Sequence, residues 1–271
     1  MRRTITMTAT LSVAALFLAG CGSTAGSVGT AGSVGAATGG SSGASGTVTG
    51  TVNVFAAASL KESFTTLGAQ FESAHPGSKV VFNFGPSSGL AIQVTQGAPA
   101  DVFASASAST MDQVVKAGEA SGPRTFAKNV MEIAVPASNP AGITGVADLA
   151  KSGVKVALCQ PAVPCGAVAA TVFANAGLKV TPVSQEADVK AVLTKVGLGE
   201  VDAGVVYVTD VRSAGDRVKG IEIPTDVNAS TAYPIVALTK AANPAGAKAF
   251  TDYVLSTDGA TVLTAGGFAK P

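Results

Sequence analysis

Hydroxyl-bearing and small residues recur at four points where a predicted strand runs into a predicted helix. These points are Ser59, the Ser87-Ser88 pair, Cys165 and Val189. A helix N-terminus leaves backbone N–H groups without acceptors and carries a partial positive charge. Four such ends directed into one cleft would bind an anion through neutral donors. Taken singly, these residues have more ordinary interpretations. Ser59 precedes Glu62 by three residues, which is the spacing of a capping box. The Ser87-Ser88 pair is typical of an ordinary turn.

The charge balance is compatible with such neutral donors. The 271 residues include 18 basic and 17 acidic side chains, for a net charge of +1. Loss of residues 1–20 would remove Arg2 and Arg3 and no acidic residue, so the net charge would become −1. Nucleic-acid binders normally carry a basic face, and this composition therefore argues against a nucleic-acid partner.

Side chains suited to catalysis or to metal binding are scarce. The chain has one histidine, His75, in an Ala-His-Pro-Gly turn that predicts a solvent-exposed side chain. A serine hydrolase needs a general base beside its nucleophile, so we expect no enzyme and no catalytic residue. One histidine and three cysteines are too few for a multi-histidine metal centre. We also expect no cofactor.

Cys159 and Cys165 are separated by five residues, two of which are prolines. In an exported protein this spacing predicts a disulfide. Closure of so short a loop contributes only about 2 kcal/mol in the chain-entropy treatment. The bond would also hold the loop that presents the Cys165 N–H, which is preorganisation. The alternative, a cysteine pair that binds a metal, lacks further ligands.

The first fifty residues predict an export signal and a tether. Residues 1–20 have Arg2 and Arg3 ahead of an apolar stretch that is too short to span a bilayer. They end in Leu-Ala-Gly before Cys21, which resembles the lipobox of bacterial lipoproteins. The resemblance implies acylation of Cys21, palmitate included, and anchoring at the outer face of the cell membrane. An ordinary signal peptide followed by an incidental cysteine is the alternative. Residues 21–50 continue as Gly, Ser, Thr, Ala and Val, which predicts a flexible tether.

From residue 51 onward, segments with the period of a strand alternate with segments with the period of a helix. This order predicts an α/β fold with parallel sheets flanked by helices, in which ligands bind beyond the carboxyl ends of strands. The predicted strands are 51–56, 79–84, 101–104, 130–135, 154–158, 203–208 and 235–238. The predicted helices are 60–74, 89–96, 110–117, 166–176, 188–196, 245–255 and 260–265.

Eight short motifs over residues 51–271 resemble the molybdate-binding proteins of bacterial ABC transporters, in the order that family shows. They are Val54-Phe-Ala-Ala-Ala-Ser-Leu60, Phe84-Gly-Pro-Ser-Ser-Gly-Leu-Ala91, Gly97-Ala-Pro-Ala-Asp-Val-Phe-Ala104, Val163-Pro-Cys-Gly166, Glu186-Ala-Asp-Val189, Gly204-Val-Val-Tyr207, Tyr233-Pro-Ile-Val236 and Gly266-Gly-Phe268.

The resemblance implies five ligand residues. Ser59 and Ser87 would each donate a hydroxyl and a backbone N–H. Cys165 and Val189 would donate a backbone N–H, and Tyr207 would donate its phenol. Alignment of the second motif favours Ser87 over its neighbour Ser88, which stays an alternative. Cys165 departs from the alanine often found in the family, a change that a backbone donor tolerates.

The same resemblance implies a two-lobed periplasmic-binding-protein fold of type II, with a mostly parallel sheet flanked by helices in each lobe. We expect residues 51–135 plus 236–271 in the first lobe and residues 136–235 in the second, with a hinge between them. Closure would capture molybdate, and tungstate of nearly the same size, with no protein ligand on molybdenum itself. The expected protein is a monomer that delivers the anion to an inner-membrane permease and its ATPase.

Alternatives to molybdate capture stay open at this point. Another tetrahedral oxyanion such as sulfate would use the same donors, and discrimination would depend on cavity size. A ferric-ion binder would share the fold but typically pairs tyrosines, and Tyr207, Tyr233 and Tyr253 are not adjacent in the sequence. A surface adhesin or antigen with a silent pocket is the alternative from another class.

Overall fold

The computed structural model describes residues 48–271, which belong to one compact unit. The predicted signal, Cys21 and most of the tether lie outside the described residues. The strands are β1 (Gly50–Ala57), β2 (Ser78–Gly85), β3 (Val102–Ala104), β4 (Arg124–Pro136), β5 (Val156–Cys159), β6 (Ser184–Glu186), β7 (Ala203–Tyr207), β8 (Val218–Glu222) and β9 (Ser230–Ala237). The α-helices are α1 (Lys61–Ala74), α2 (Ser87–Thr95), α3 (Ala108–Lys116), α4 (Pro164–Asn175), α5 (Val189–Gly197), α6 (Val208–Ala214), α7 (Pro244–Val254) and α8 (Thr257–Ala265). Over this part of the chain, none of the helices combines the length and the apolar character needed to cross a membrane.

The strands form a mixed sheet in the order β2-β1-β3-β9-β4-β7-β5-β6, with β8 paired to β4. β1 runs parallel to β2 and β3, and β5 runs parallel to β6 and β7. These two parallel groups are what the strand-helix alternation predicts, because helices return the chain to the same end of the sheet. β4 and β9 are antiparallel to each of their partners and connect the two groups.

The apolar core divides where β4 changes partners. β4 pairs with β9 up to Val130 and with β7 and β8 from Met131 onward. One core cluster, which we call the central core, draws its buried residues from 131–223. The other, the split core, draws them from 52–127 and 233–268, with a smaller cluster under α2 and α3 beside it. The predicted lobe boundaries stay a prediction, and these contacts favour boundaries near residues 130 and 230.

Three short elements and two strand starts differ from the sequence prediction. β6, α6 and β8 were not predicted. β6 and β8 lie at sheet edges and are largely half-exposed or exposed, so they lack the alternation that marks a half-buried strand. β4 and β9 begin earlier than predicted. Pro234 argues against a strand at that point, but it faces Thr125 at a register shift, where the ladder does not need its missing N–H.

Candidate anion-binding site

Ser59 and Ser87 lie at one edge of the first parallel group. Ala57 at the end of β1 pairs with Gly85 at the end of β2, so the two strands end level with each other. Each serine follows its strand by two residues. Ser59 lies in a single 3₁₀ turn before α1, and Ser87 is the first residue of α2. Their exposed fractions are only 4% and 2%.

Cys165, Val189 and Tyr207 follow the carboxyl ends of the second parallel group. β5 and β6 end level, since Cys159 pairs with Glu186, and β7 runs parallel on the other side of β5. Cys165 is the second residue of α4, Val189 is the first residue of α5, and Tyr207 ends β7. Backbone N–H groups in a first helical turn have no intrahelical acceptor, so the two helix starts present donors at this edge.

The cap of α5 leaves the predicted Val189 donor out of its hydrogen bonds. Asp188 is the N-cap, and its Oδ1 accepts from the N–H groups of Lys190 and Ala191 at 2.9 and 3.0 Å. Aspartate is a preferred N-cap because its carboxylate satisfies these donors. The Val189 N–H is not among them.

Two buried tyrosines connect the edges. Ser59 Oγ lies 2.8 Å from the hydroxyl oxygen of Tyr233, and the Tyr233 ring meets the Tyr207 ring edge to face at 6.1 Å between centroids. Ser59 therefore bonds a tyrosine and caps no helix. Tyr207 and Tyr233, which are far apart in the sequence, are therefore neighbours in space.

The Tyr207 hydroxyl is the unusual group of this cluster. It is fully buried, and no partner for it exists among residues 48–271. Burial raises the pKa of Tyr207 well above its usual value and raises that of Tyr233 too. Both hydroxyls therefore keep their protons near neutral pH. Tyr207 can donate a hydrogen bond to an incoming acceptor.

Ser87 is held differently from Ser59. Its Oγ accepts from the Ala106 N–H at 3.0 Å, while Ser88 is half-buried. The segment Gly85-Pro-Ser-Ser-Gly89 also has the Gly-x-Ser-x-Gly spacing of a hydrolase nucleophile elbow, and such a nucleophile needs a base. The single histidine, His75, precedes β2 and Ser87 follows it, so the two lie at opposite ends of this eight-residue strand, roughly 25 Å along it.

His75 also differs from its predicted surroundings. Its ring stacks on Phe71 with centroids 4.3 Å apart, and its Nδ1 lies 3.1 Å from the Phe71 carbonyl oxygen. The side chain is therefore half-buried rather than exposed as predicted. These contacts assign it to the packing of the α1 terminus.

The Cys165 loop is tightly packed. A disulfide joins Cys159 to Cys165, with 5.8 Å between their Cα atoms. Gly166 follows, and a Cβ at this position would overlap the carbonyl oxygen of Gln160. The loop therefore approaches the start of α4 so closely that only glycine fits.

A buried ion pair lies behind the Tyr207 end of the site. The Asp210 carboxylate accepts from the Tyr207 N–H through Oδ2 at 3.1 Å, and its Oδ1 lies 3.1 Å from Lys190 Nζ. Asp210 is fully buried. Burial raises its pKa to about 6, an effect that Lys190 opposes.

Two cavities border the site. One of about 170 Å³ is lined by Ser59, Thr209, Arg212 and Phe268 among others. A second of about 390 Å³ lies between α1 and α5. Neither is lined by Ser87, Cys165, Val189 or Tyr207. The structure thus links Ser59 to Tyr207 through Tyr233, and it places the other three predicted ligands at the strand edges, outside the lining of these two cavities.

Sequence reasoning missed three residues of this site: Tyr233, Asp210 and Lys190. Tyr233 lies in one of the eight motifs that resemble the molybdate-binding proteins, but the sequence did not indicate that its hydroxyl would hold Ser59. Asp210 follows Tyr207 by three residues, which is the spacing of a helix-capping acid and was the available signal. Lys190 directly follows Val189, and nothing in its sequence surroundings indicates a buried partner.

Comparisons with known proteins agree on one family. The family model described as bacterial extracellular solute-binding protein matches residues 52–269. The chain is 45% identical over 219 residues to the molybdate-binding protein ModA of Mycobacterium tuberculosis, an alignment that covers 80% of this chain and 84% of that protein.

Solved structures of similar fold include two anion-binding proteins. The periplasmic molybdate-binding protein of Azotobacter vinelandii superposes with a TM-score of 0.72 at 21% identity, covering 81% of this chain and 99% of the other. The sulfate-binding protein SubI of M. tuberculosis also gives 0.72, at 17% identity, covering 81% and 86%. These likenesses confirm the predicted periplasmic-binding-protein fold.

Proposed function

We propose that the chain binds molybdate, because it belongs to the bacterial extracellular solute-binding proteins and, within them, to the molybdate-binding proteins. The observation that carries the proposal is the buried Tyr207 hydroxyl, which has no partner among the described residues. A buried polar group without a hydrogen bond costs roughly 1–3 kcal/mol. An oxyanion between the two sheet edges would supply the acceptor that Tyr207 lacks.

The donor set suits a fully ionised oxyanion. The proposed ligands are the hydroxyl and N–H groups of Ser59 and Ser87, the N–H groups of Cys165 and Val189, and the Tyr207 phenol. All are donors toward the anion, and none is a carboxylate that could accept a proton from it. A protonated anion such as hydrogen phosphate would leave its proton unpaired, which disfavours it by roughly 1–3 kcal/mol. Tungstate, with nearly the same size and charge as molybdate, should bind as well.

Capture would follow from closure of two lobes about a hinge. In this proposal the lobes are those predicted from the sequence, residues 51–135 with 236–271 and residues 136–235, and the core contacts support boundaries a few residues earlier. The protein acts by binding and not by catalysis, as a monomer that hands the anion to a membrane permease and its ATPase. Export by residues 1–20 and acylation of Cys21 would tether it at the outer face of the membrane. The Cys159–Cys165 disulfide would form after export.

The test is calorimetric and thermal titration of the chain from residue 22 onward with molybdate, tungstate, sulfate and phosphate, and with chloride as the control. A ligand that binds only the folded state stabilises it by about 2.7 kcal/mol at one hundred times its dissociation constant. We expect stabilisation by molybdate and tungstate and little by sulfate or phosphate. Stabilisation by sulfate alone would mean that the bound anion is sulfate and not molybdate. Absence of stabilisation by all four anions would refute anion capture and would favour a role as an adhesin or as a binding protein for another solute.

The ligand assignment has its own matched variants. Replacement of both Ser59 and Ser87 by alanine should abolish tight binding. The control is Ser88→Ala, which removes a neighbouring hydroxyl from the same turn. Equal loss in the control would assign the second hydroxyl to Ser88, and unchanged affinity in the double variant would remove both serine hydroxyls from the ligand set.

A further inference from the structure

Lys190 makes a set of contacts that ligand binding alone does not require. Its ammonium group lies 2.8 Å from Glu62 Oε2, 3.1 Å from Asp210 Oδ1 and 2.9 Å from Ser213 Oγ. The ammonium group donates hydrogen bonds to Glu62 and Ser213, and its contact with Asp210 is an ion pair. The Lys190 side chain is 20% exposed, whereas that of Glu62 is 51% exposed. The Lys190 side chain is therefore mostly buried against Asp210, and its ammonium group also contacts the more exposed carboxylate of Glu62.

The partners of Lys190 belong to different bodies of the fold. Lys190 follows Val189 at the start of α5, and Asp210 and Ser213 lie on α6; both helices pack on the central core. Glu62 lies in the first turn of α1, which packs on the split core. A motion of one core relative to the other would separate Glu62 from Lys190 and leave Asp210 and Ser213 in place.

The residues that contact Lys190 are close to proposed ligands from both cores. Asp210 accepts from the Tyr207 N–H, so the lysine and this carboxylate together border two proposed donors, Val189 and Tyr207. On the other side, Glu62 follows Ser59 by three residues. The cavity between α1 and α5 is lined by both Glu62 and Lys190. The Glu62–Lys190 pair thus joins α1 to α5 across this cavity.

We infer that Lys190 is a positioning residue that couples anion capture to lobe closure: its ion pair with Glu62 forms in the closed protein and slows release of the anion. The inference rests on the proposed function. Opening breaks one partly exposed ion pair while the buried Lys190–Asp210 pair persists. Lys190 therefore has two separable roles, one structural through Asp210 and one in closure through Glu62.

The experiment measures molybdate dissociation rates by stopped flow and melting temperatures without ligand, on the chain from residue 22 onward. The variants are Glu62→Gln, Lys190→Met, the two combined, and Lys190→Arg, which keeps the charge. The matched control is Glu72→Gln, because Glu72 pairs with Lys79 at 3.1 Å within the split-core half of the molecule.

Glu62→Gln should speed dissociation about threefold, in the range of a partly exposed ion pair, and lower the ligand-free melting temperature less than Lys190→Met does. Lys190→Met should speed dissociation about tenfold or more and also lower the melting temperature, because the buried Asp210 loses its cation. The combined variant should release no faster than Lys190→Met. Lys190→Arg should restore most of the slow release, and Glu72→Gln should match the wild type.

Two results would overturn the coupling role. One is a Glu62→Gln variant with wild-type dissociation. The other is a Glu72→Gln control that speeds dissociation as much as Glu62→Gln, because the loss of any surface ion pair would then explain the effect. Absence of molybdate binding in the wild type would instead refute the proposed function itself, and the coupling role with it. The two failures are therefore distinguishable.

Discussion

Replacement of Tyr207 by phenylalanine should change affinity and stability in opposite directions. The hydroxyl is fully buried and has no partner within the described part of the chain. Its removal from the ligand-free protein therefore breaks no hydrogen bond and relieves a desolvation cost of roughly 1–3 kcal/mol. In the complex, the same hydroxyl would donate to a dianion, and hydrogen bonds to charged groups contribute about 1.5–3 kcal/mol. At about 1.4 kcal/mol per decade, Tyr207→Phe should weaken molybdate binding roughly tenfold to a hundredfold.

The assay pairs calorimetric titration with melting of the ligand-free protein. Tyr207→Phe should bind molybdate more weakly and melt at the same temperature as the wild type or higher. Tyr253→Phe is the control, because the Tyr253 hydroxyl donates to Gln70 at 3.0 Å on the exposed side of α7. Wild-type affinity in Tyr207→Phe would remove the phenol from the ligand set. A lower melting temperature would mean that the hydroxyl has a partner in the ligand-free protein.

Three further predictions concern the groups around the ligands. Reduction of Cys159–Cys165 should lower the unfolding free energy by about 2 kcal/mol and weaken molybdate binding, measured by melting and titration with and without dithiothreitol; unchanged values would contradict both effects. Tyr233→Phe removes the hydroxyl that is hydrogen-bonded to Ser59, and it should lower the unfolding free energy by about 0.5–1.5 kcal/mol and weaken molybdate binding. An unchanged affinity would show that Ser59 does not need this hydrogen bond to bind the anion. Asp210 has a pKa raised by burial to about 6, so the folded protein holds this proton more tightly than the unfolded chain, whose Asp titrates near 3.9. The unfolding free energy should therefore fall as pH rises from about 4 to about 6, and Asp210→Asn should flatten that fall in melts across this range; an unchanged slope would assign it to other groups.

Most of the strands and helices could be predicted because the residues that bury them follow simple periods. β1 and α1 are examples, since alternating valines and spaced aromatic and leucine residues each face one core. α6 could not be predicted in the same way, because it begins directly after β7 with no turn residue between them. β9 was predicted to begin at residue 235, and Pro234 gives no signal for an earlier start because a proline normally excludes a paired strand. Only the register shift opposite Thr125 makes its position acceptable.

The positions of the proposed donors in the fold were predictable from the sequence, and the contacts that hold these residues were not. Ser59, Ser87 and Tyr207 could be placed at strand ends because sequence position fixes where a strand meets a helix. The Tyr233 contact with Ser59 and the Lys190 contact with Glu62 join residues more than a hundred positions apart. Such pairs depend on how the two cores meet, and no local pattern encodes that arrangement.

The split core has a consequence for the order in which the chain can fold. Its buried residues come from 52–127 and from 233–268, so β1 to β3 cannot complete their sheet before β9 exists. The central core, from 131–223, is continuous and closes over shorter loops, which favours faster assembly. A chain that emerges N-terminus first therefore completes its middle before its beginning, and its first strands keep an unpaired, aggregation-prone edge until the last forty residues arrive.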